Sequence, residues 1–167
     1  PFLWYRGELK KSDAYGLAVV GTRNPSDEGR RRASKMASLL AERGVTVLSG
    51  LALGIDTEAH RATIAAGGRT IAVMGSGFDT LYPKENAGLA EEIVESGAVV
   101  SQFFPSTPPT RGTFPLRNTV TSGMGQGTIV IEASHTSGAR LQARLAIEHG
   151  KHAFLLQSLV EKYEWAE

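Results

Sequence analysis

The stretch Arg111-Gly112-Thr113-Phe114-Pro115-Leu116-Arg117-Asn118 interleaves two guanidinium groups with an aromatic ring and an amide. Guanidinium groups neutralise phosphates through paired N–H donors, and a phenylalanine offers a flat face to an unstacked base. Together they suit sequence-tolerant capture of a single nucleic-acid strand. A second cluster, Gly21-Thr22-Arg23-Asn24-Pro25-Ser26, places one arginine in a tight turn. Ser49-Gly50-Leu51-Ala52-Leu53-Gly54, Gly75-Ser76-Gly77 and Ser137-Gly138 add glycines and hydroxyls. Such segments leave backbone N–H groups free and keep side chains from holding a phosphate off. The candidate phosphate- and nucleic-acid-binding residues are therefore Gly21, Thr22, Arg23, Ser26, Ser49, Gly50, Gly54, Gly75, Gly77, Arg111, Phe114, Arg117, Asn118, Ser137 and Gly138.

Each of these also has a plainer reading. Strand-end glycines occur in any nucleotide-type α/β fold; Arg23 has a reading as a solvated charge, though its place at the first switch turn favours function, and Phe114 reads equally as a plug beneath a loop. The run Arg30-Arg31-Arg32 with Lys35 fits an exposed helix face. Asp56 and His60 lie four apart on one helical face. They read as a helix cap and a local hydrogen-bonding partner rather than a catalytic pair. Several chemistries are excluded by what is missing. No G-x-G-x-x-G follows a strand, no G-x-x-x-x-G-K-[ST] is present, and Met74 spoils a G-x-S-x-G elbow at Gly75-Ser76-Gly77. The four histidines lack metal spacing, and no acid–base carboxylate pair stands out. No catalytic residue, metal or cofactor is expected.

The elements that must position these clusters alternate. Apolar runs at Leu17–Val20, Val45–Leu48, Thr70–Met74, Ala98–Ser101, Gly127–Ile131 and His152–Leu156 read as strands. Helical spacing predicts helices from the Ser26 cap to about Arg43, over Asp56–Ala66, Glu85–Glu95 and Arg140–His149, with Gly44, Gly67-Gly68 and Gly150 as stops. Segment 102–116 holds Pro105, Pro108, Pro109 and Pro115 without periodicity and reads as a long loop. Strand–helix alternation implies a doubly wound, mostly parallel α/β sheet, with ligands at the carboxyl ends of its strands. At 167 residues and 41% hydrophobic content the chain suits one compact domain. A net charge of +1 makes any polyanion site local, and zero cysteines exclude disulfides and thiolate metal sites. No apolar run is long enough for a bilayer and no signal segment is recognisable, so no membrane partner is expected.

Taken together the motifs resemble the DprA/Smf family. The resemblance rests on Gly21-Thr22-Arg23 with Ser26 and Gly29, and on Ser49-Gly50-Leu51-Ala52-x-Gly54-Ile55-Asp56 with Ala59-His60. It rests also on Gly75-x-Gly77-x-Asp79 with Tyr82-Pro83 and Asn86, on Phe114-Pro115-x-Arg117-Asn118, and on Glu132-Ala133 with Ser137-Gly138. It runs from about Leu3 to Leu156, including the lead-in Leu3-Trp4-Tyr5-Arg6-Gly7.

The resemblance implies a Rossmann-like three-layer αβα domain that binds single-stranded DNA, self-associates as a homodimer, and loads the RecA recombinase in natural transformation. It implies DNA contacts at Arg23, Arg111 and Phe114, and carries the Arg-Asn pair over to Arg117 and Asn118. A cytoplasmic location is expected. The expected organisation is a lead-in at 1–16, a core at 17–156, and a tail or the start of a following element at 157–167. Thr119, Gln102, Ser137-Gly138-Ala139-Arg140 and Leu156-Gln157-Ser158 depart from the family pattern and suggest a divergent or minimal member. The alternative is a nucleotide sensor or phosphoribohydrolase similar to the LOG type. It rests on Gly123-Met124-Gly125-Gln126-Gly127-Thr128 with Glu132, a loose echo of a Pro-Gly-Gly-x-Gly-Thr stretch and its glutamate.

Overall fold

The computed structural model describes residues 2–134 and 136–166; Pro1, His135 and Glu167 lie outside the described residues. Seven strands form one sheet: β1 (Trp4–Gly7), β2 (Leu17–Val20), β3 (Val47–Ser49), β4 (Thr70–Val73), β5 (Ala98–Ser101), β6 (Gly127–Val130) and β7 (His152–Leu155). Their order is β1-β5-β4-β3-β2-β6-β7, parallel throughout except for β1, which runs antiparallel along β5 with Trp4 opposite Ser101. The six apolar runs become six adjacent parallel strands, as expected of strands covered on both faces.

Helices α1 (Asp27–Glu42), α2 (Ile55–Ala65) and α3 (Ala87–Ser96) cover one face. Ala33 and Ala37 of α1 and Ile55 and Ala59 of α2 pack on Val19, Val47 and Ile129, while Leu89 and Ile93 of α3 pack on Ala72 and Val99. The other face carries α4 (Thr113–Met124), α5 (Gly138–Glu148) and the single turn α6 (Gln157–Val160). There Ala139, Ala143 and Leu159 meet Ala18, Val20, Leu48 and Val130, with Val120 and Met124 beside them. The chain thus builds β2 to β5 outward along one face, then crosses with α4 to set β6 on the far side of β2.

Two sequence expectations are corrected, the loop at 102–116 and the Asp56 cap. Segment 102–116 is a loop only to residue 112, because α4 begins at Thr113. Its inward positions are Arg117, Asn118, Thr121 and Ser122, so its buried face is polar and leaves no apolar stripe to detect. Pro115 sits in the first turn, where no intrahelical N–H is required. The 1–16 lead-in supplies a strand of the sheet, and Leu159 and Ala166 of the tail enter the core, so both segments pack with the 17–156 body. Asp56 does not cap α2, whose cap position is Gly54 at φ +83°.

The lead-in is fastened by a half-buried ion pair. Arg69 donates to Asp13 through Nε (2.6 Å) and Nη2 (2.8 Å), and also to the carbonyls of Ser96 and Glu8. Burial would raise the Asp13 carboxyl, but Arg69, the Lys10 N–H and the Thr46 hydroxyl outweigh it and hold it below the usual carboxylate range.

Candidate functional site

In this strand order the chain reverses direction between β2 and β6, which separates the connections leaving their carboxyl ends. A cleft of about 400 Å³ opens there. Gly21, Thr22 and Arg23 leave β2 to form one wall, Ser137 and Gly138 at the start of α5 form the opposite one, and Gly50, Phe114, Arg117 and Asn118 close the floor and side. Nine of the proposed site residues therefore share one cavity.

Arg23 is exposed, and its guanidinium carbon lies 4.9 Å from the centroid of the Phe114 ring. Tyr82 approaches the same ring at 5.9 Å between centroids. With Leu53 these three residues border a smaller hollow of about 50 Å³ beside the main cleft. A cation over a half-buried ring, flanked by exposed aromatic and aliphatic surface, is the type of surface on which a planar base can stack with a phosphate nearby. Leu53 and Tyr82 were not among the expected site residues; an exposed tyrosine after a glycine-rich turn was the available signal.

Arg117 behaves differently from Arg23. It is 7% exposed and donates through Nη1 to the Val73 carbonyl (2.7 Å) and to the Gly50 carbonyl, and through Nε to Asn118 Oδ1 (3.0 Å). A Cβ on residue 50 would stand 2.1 Å from Arg117 Nη1, so only glycine admits the guanidinium there. Burial lowers the Arg117 pKa while the charge of Asp56 opposes that shift. Asp56 accepts from the Gly50 N–H (3.0 Å) and the Ala52 N–H (3.4 Å); burial pushes its carboxyl up against the pull of Arg117 and those donors. Asn118 Nδ2 donates to the Gly138 carbonyl at 3.3 Å.

The remaining expected site residues lie off the cleft. Ser49 is buried and donates to the Val19 carbonyl at 2.7 Å. Gly54 starts α2, Gly75 backs the Phe114 ring, and the Gly77 N–H is bonded to the Thr107 carbonyl at 2.9 Å. Arg111 is exposed just ahead of α4. Ser26 caps α1 by accepting from the Gly29 N–H at 3.0 Å, and both its N–H and its hydroxyl donate to Glu132, the hydroxyl at 2.8 Å. The N-terminus of α1, the phosphate seat of many nucleotide-binding folds, is thus occupied by a carboxylate of the chain itself. The same bonds commit the glutamate on which the phosphoribohydrolase reading depends.

His60 is fully buried. The Thr70 hydroxyl donates to the Val47 carbonyl (2.7 Å), so His60 Nδ1 must be the donor to Thr70 Oγ1 (2.7 Å). Among the described residues its Nε2 has no partner, and burial with the nearby Arg117 charge lowers its pKa to about 3. It is a neutral structural imidazole, with the local bonding role expected of it. Among the described residues no group of histidines and carboxylates is arranged to hold a metal.

The fold and cleft define a Rossmann-like α/β domain with an open cleft at the switch point. The sequence matches the profile of the family described as DNA recombination-mediator protein A over residues 1–166. The chain belongs to that family. It is 43% identical over 155 residues to the protein Smf of Escherichia coli (92% of this chain, 41% of that protein). It is 37% identical over 148 residues to the DNA processing protein DprA of Bacillus subtilis (88% of this chain, 50% of that protein). The chain therefore spans half or less of either relative's length. Among solved structures it is similar to DprA of Streptococcus pneumoniae, with TM-score 0.83, 38% identity, and coverage of 92% of this chain and 54% of that one. It is similar also to DprA of Helicobacter pylori, a structure concerned with that protein's single-stranded DNA binding mode, with TM-score 0.86, 29% identity, and coverage of 96% and 78%. A molybdenum cofactor carrier protein of Chlamydomonas reinhardtii (TM-score 0.62, 19% identity, 89% and 80% covered) shares the fold alone.

Proposed function

We propose that this domain binds single-stranded DNA across the strand-end rim and serves DNA processing and recombination by presenting that strand, acting by binding without a catalytic centre of its own. The observation that carries the reading is the Arg23 guanidinium stacked on Phe114 beside an open cleft, with Leu53 and Tyr82 extending the apolar surface. Arg23 and Arg111 are the phosphate contacts in this reading, Phe114 the base platform, and Gly21, Thr22, Ser137 and Gly138 the backbone wall. Self-association and delivery of the strand to the RecA recombinase belong to the same proposal, as does a cytoplasmic location. Among the described residues no helix is long and apolar enough to cross a membrane.

The test is a titration of the chain into labelled oligo-dT, a matched duplex and a labelled mononucleotide, following anisotropy at two salt concentrations. Tight, salt-dependent binding of the single strand with weak binding of the duplex is expected. Each phosphate neutralised should contribute a slope of about −0.7 in log K against log salt. Binding of the mononucleotide alone would replace this reading with the sensor reading.

A further inference from the structure

An arginine in a DNA cleft is ordinarily assigned to a phosphate. The bonds of Arg117 argue otherwise. Nη1 serves two carbonyls at the ends of neighbouring strands, Gly50 beyond β3 and Val73 at the end of β4, and Nε serves Asn118. Asn118 passes the connection to Gly138, the first residue of α5, while Asp56 accepts from the Gly50 N–H in the peptide unit that precedes the Gly50 carbonyl. An unbroken run of bonds therefore crosses the cleft floor from α2 through two strand ends and α4 to α5. Phe114 lies one turn before Arg117 on the same helix, with its ring against Gly75. Anchoring Arg117 fixes the register of α4, and with it the place where that ring stands.

We propose that Arg117 is a positioning residue for the bound strand, acting through Gly50, Val73 and Asn118 to hold Phe114 and the start of α5 at a fixed separation, and is not itself a phosphate ligand. This rests on the single-strand reading for its functional consequence, although the connection itself exists in the free protein. A preformed floor means that the strand meets a base seat already built, so less ordering accompanies binding. The contrast with Arg23, which is exposed and lies over a ring face, divides the two arginines between positioning and neutralisation.

Three variants and two measurements test this. In Arg117→Met, affinity for oligo-dT should fall about tenfold or more, as for loss of a charge-assisted bond, while the salt slope stays at the wild-type value. In Arg23→Ala the slope itself should flatten by about 0.7. Asp56→Asn removes a negative charge from a polyanion site; a purely electrostatic cleft would bind DNA more tightly, whereas the connected floor predicts weaker binding. Quenching of 2-aminopurine stacked at the Phe114 seat, read at saturating protein, should be lost in Arg117→Met. In the free protein, hydrogen exchange at the Gly50 amide should speed up in Arg117→Met, although Arg117 bonds only the carbonyl of that residue. If Arg117→Met proves unfolded by near-UV circular dichroism, Asn118→Ala, which removes the Arg117 Nε bond and the link to α5 but leaves the Nη1 bonds to Gly50 and Val73, should show the same loss of quenching with an unchanged slope. A flattened slope in Arg117→Met, tighter binding by Asp56→Asn, or an unchanged Gly50 exchange rate would overturn the proposal. Absence of any strand binding by wild type would remove the single-strand reading and leave the exchange rate to decide whether the floor is connected.

Discussion

The side chains at the mouth of the cleft divide by the kind of contact each can make. Arg23 carries charge to the surface, and replacing it with alanine should weaken single-strand binding by roughly 1–3 kcal/mol across all sequences. Phe114 supplies area and a π-face, so Phe114→Ala should cost about 1–3 kcal/mol per stacked base while leaving the salt slope untouched. Anisotropy titrations at several salt concentrations separate the two effects. A Phe114→Ala variant with a flattened slope would mean that the ring acts mainly by orienting Arg23. Glycine at position 50 belongs to the same scale: its missing side chain is what lets a guanidinium lie against the backbone at the cleft floor.

At the level of elements, α4 shows why part of the site was illegible in the sequence. Strands Leu17–Val20 and Ala98–Ser101 announce themselves as apolar runs because both of their faces are covered. Helix α4 turns Arg117, Asn118, Thr121 and Ser122 inward, so its pattern is inverted and reads as loop. Strand β1 is exposed along its whole length and carries no alternation at all. Gly77 and Ser49 have the composition of a phosphate loop, but their polar atoms are taken by Thr107 and Val19, a fact set by tertiary packing and invisible in spacing. By contrast the Gly21–Arg23 turn and Phe114 line the cleft at the strand ends. The far end of α4 is held by Lys151, whose ammonium donates to the carbonyls of Ser122 and Gly123 at 2.7 Å each and of Gly125 at 2.5 Å. A cation there completes the free carbonyls of a helix terminus. Lys151→Met should lower stability by about 1–2 kcal/mol, read as a shift in the urea midpoint, with little change in DNA affinity because the residue lies at the opposite end of α4 from the cleft.

Across the whole molecule, stability should depend on pH chiefly through His60. Its folded pKa of about 3 lies below the ordinary 6.5, so the unfolded chain binds the proton first. Stability is then greatest above pH 6.5 and falls by up to about 1.4 kcal/mol per pH unit as the solution is acidified toward pH 3. Asp13, held low by Arg69, adds to the loss further into acid, whereas Asp56, pushed up by burial, opposes it. Urea denaturation of wild type and His60→Gln between pH 7 and pH 4 checks the assignment: the variant should show the shallower dependence. Equal slopes would place the acid sensitivity elsewhere.

The pairing of β2 with β6 also orders events in time. Leu17 stands beside Gly127, so the two walls of the cleft come from opposite ends of the sequence and meet only when the last third of the chain has docked. Closing so long a loop is slow compared with forming the neighbouring β2–β3 and β3–β4 contacts. During refolding, a chain that already has its first four parallel strands would still have one wall missing. The capacity to hold a strand should therefore arrive last, as a signal that the sheet is complete.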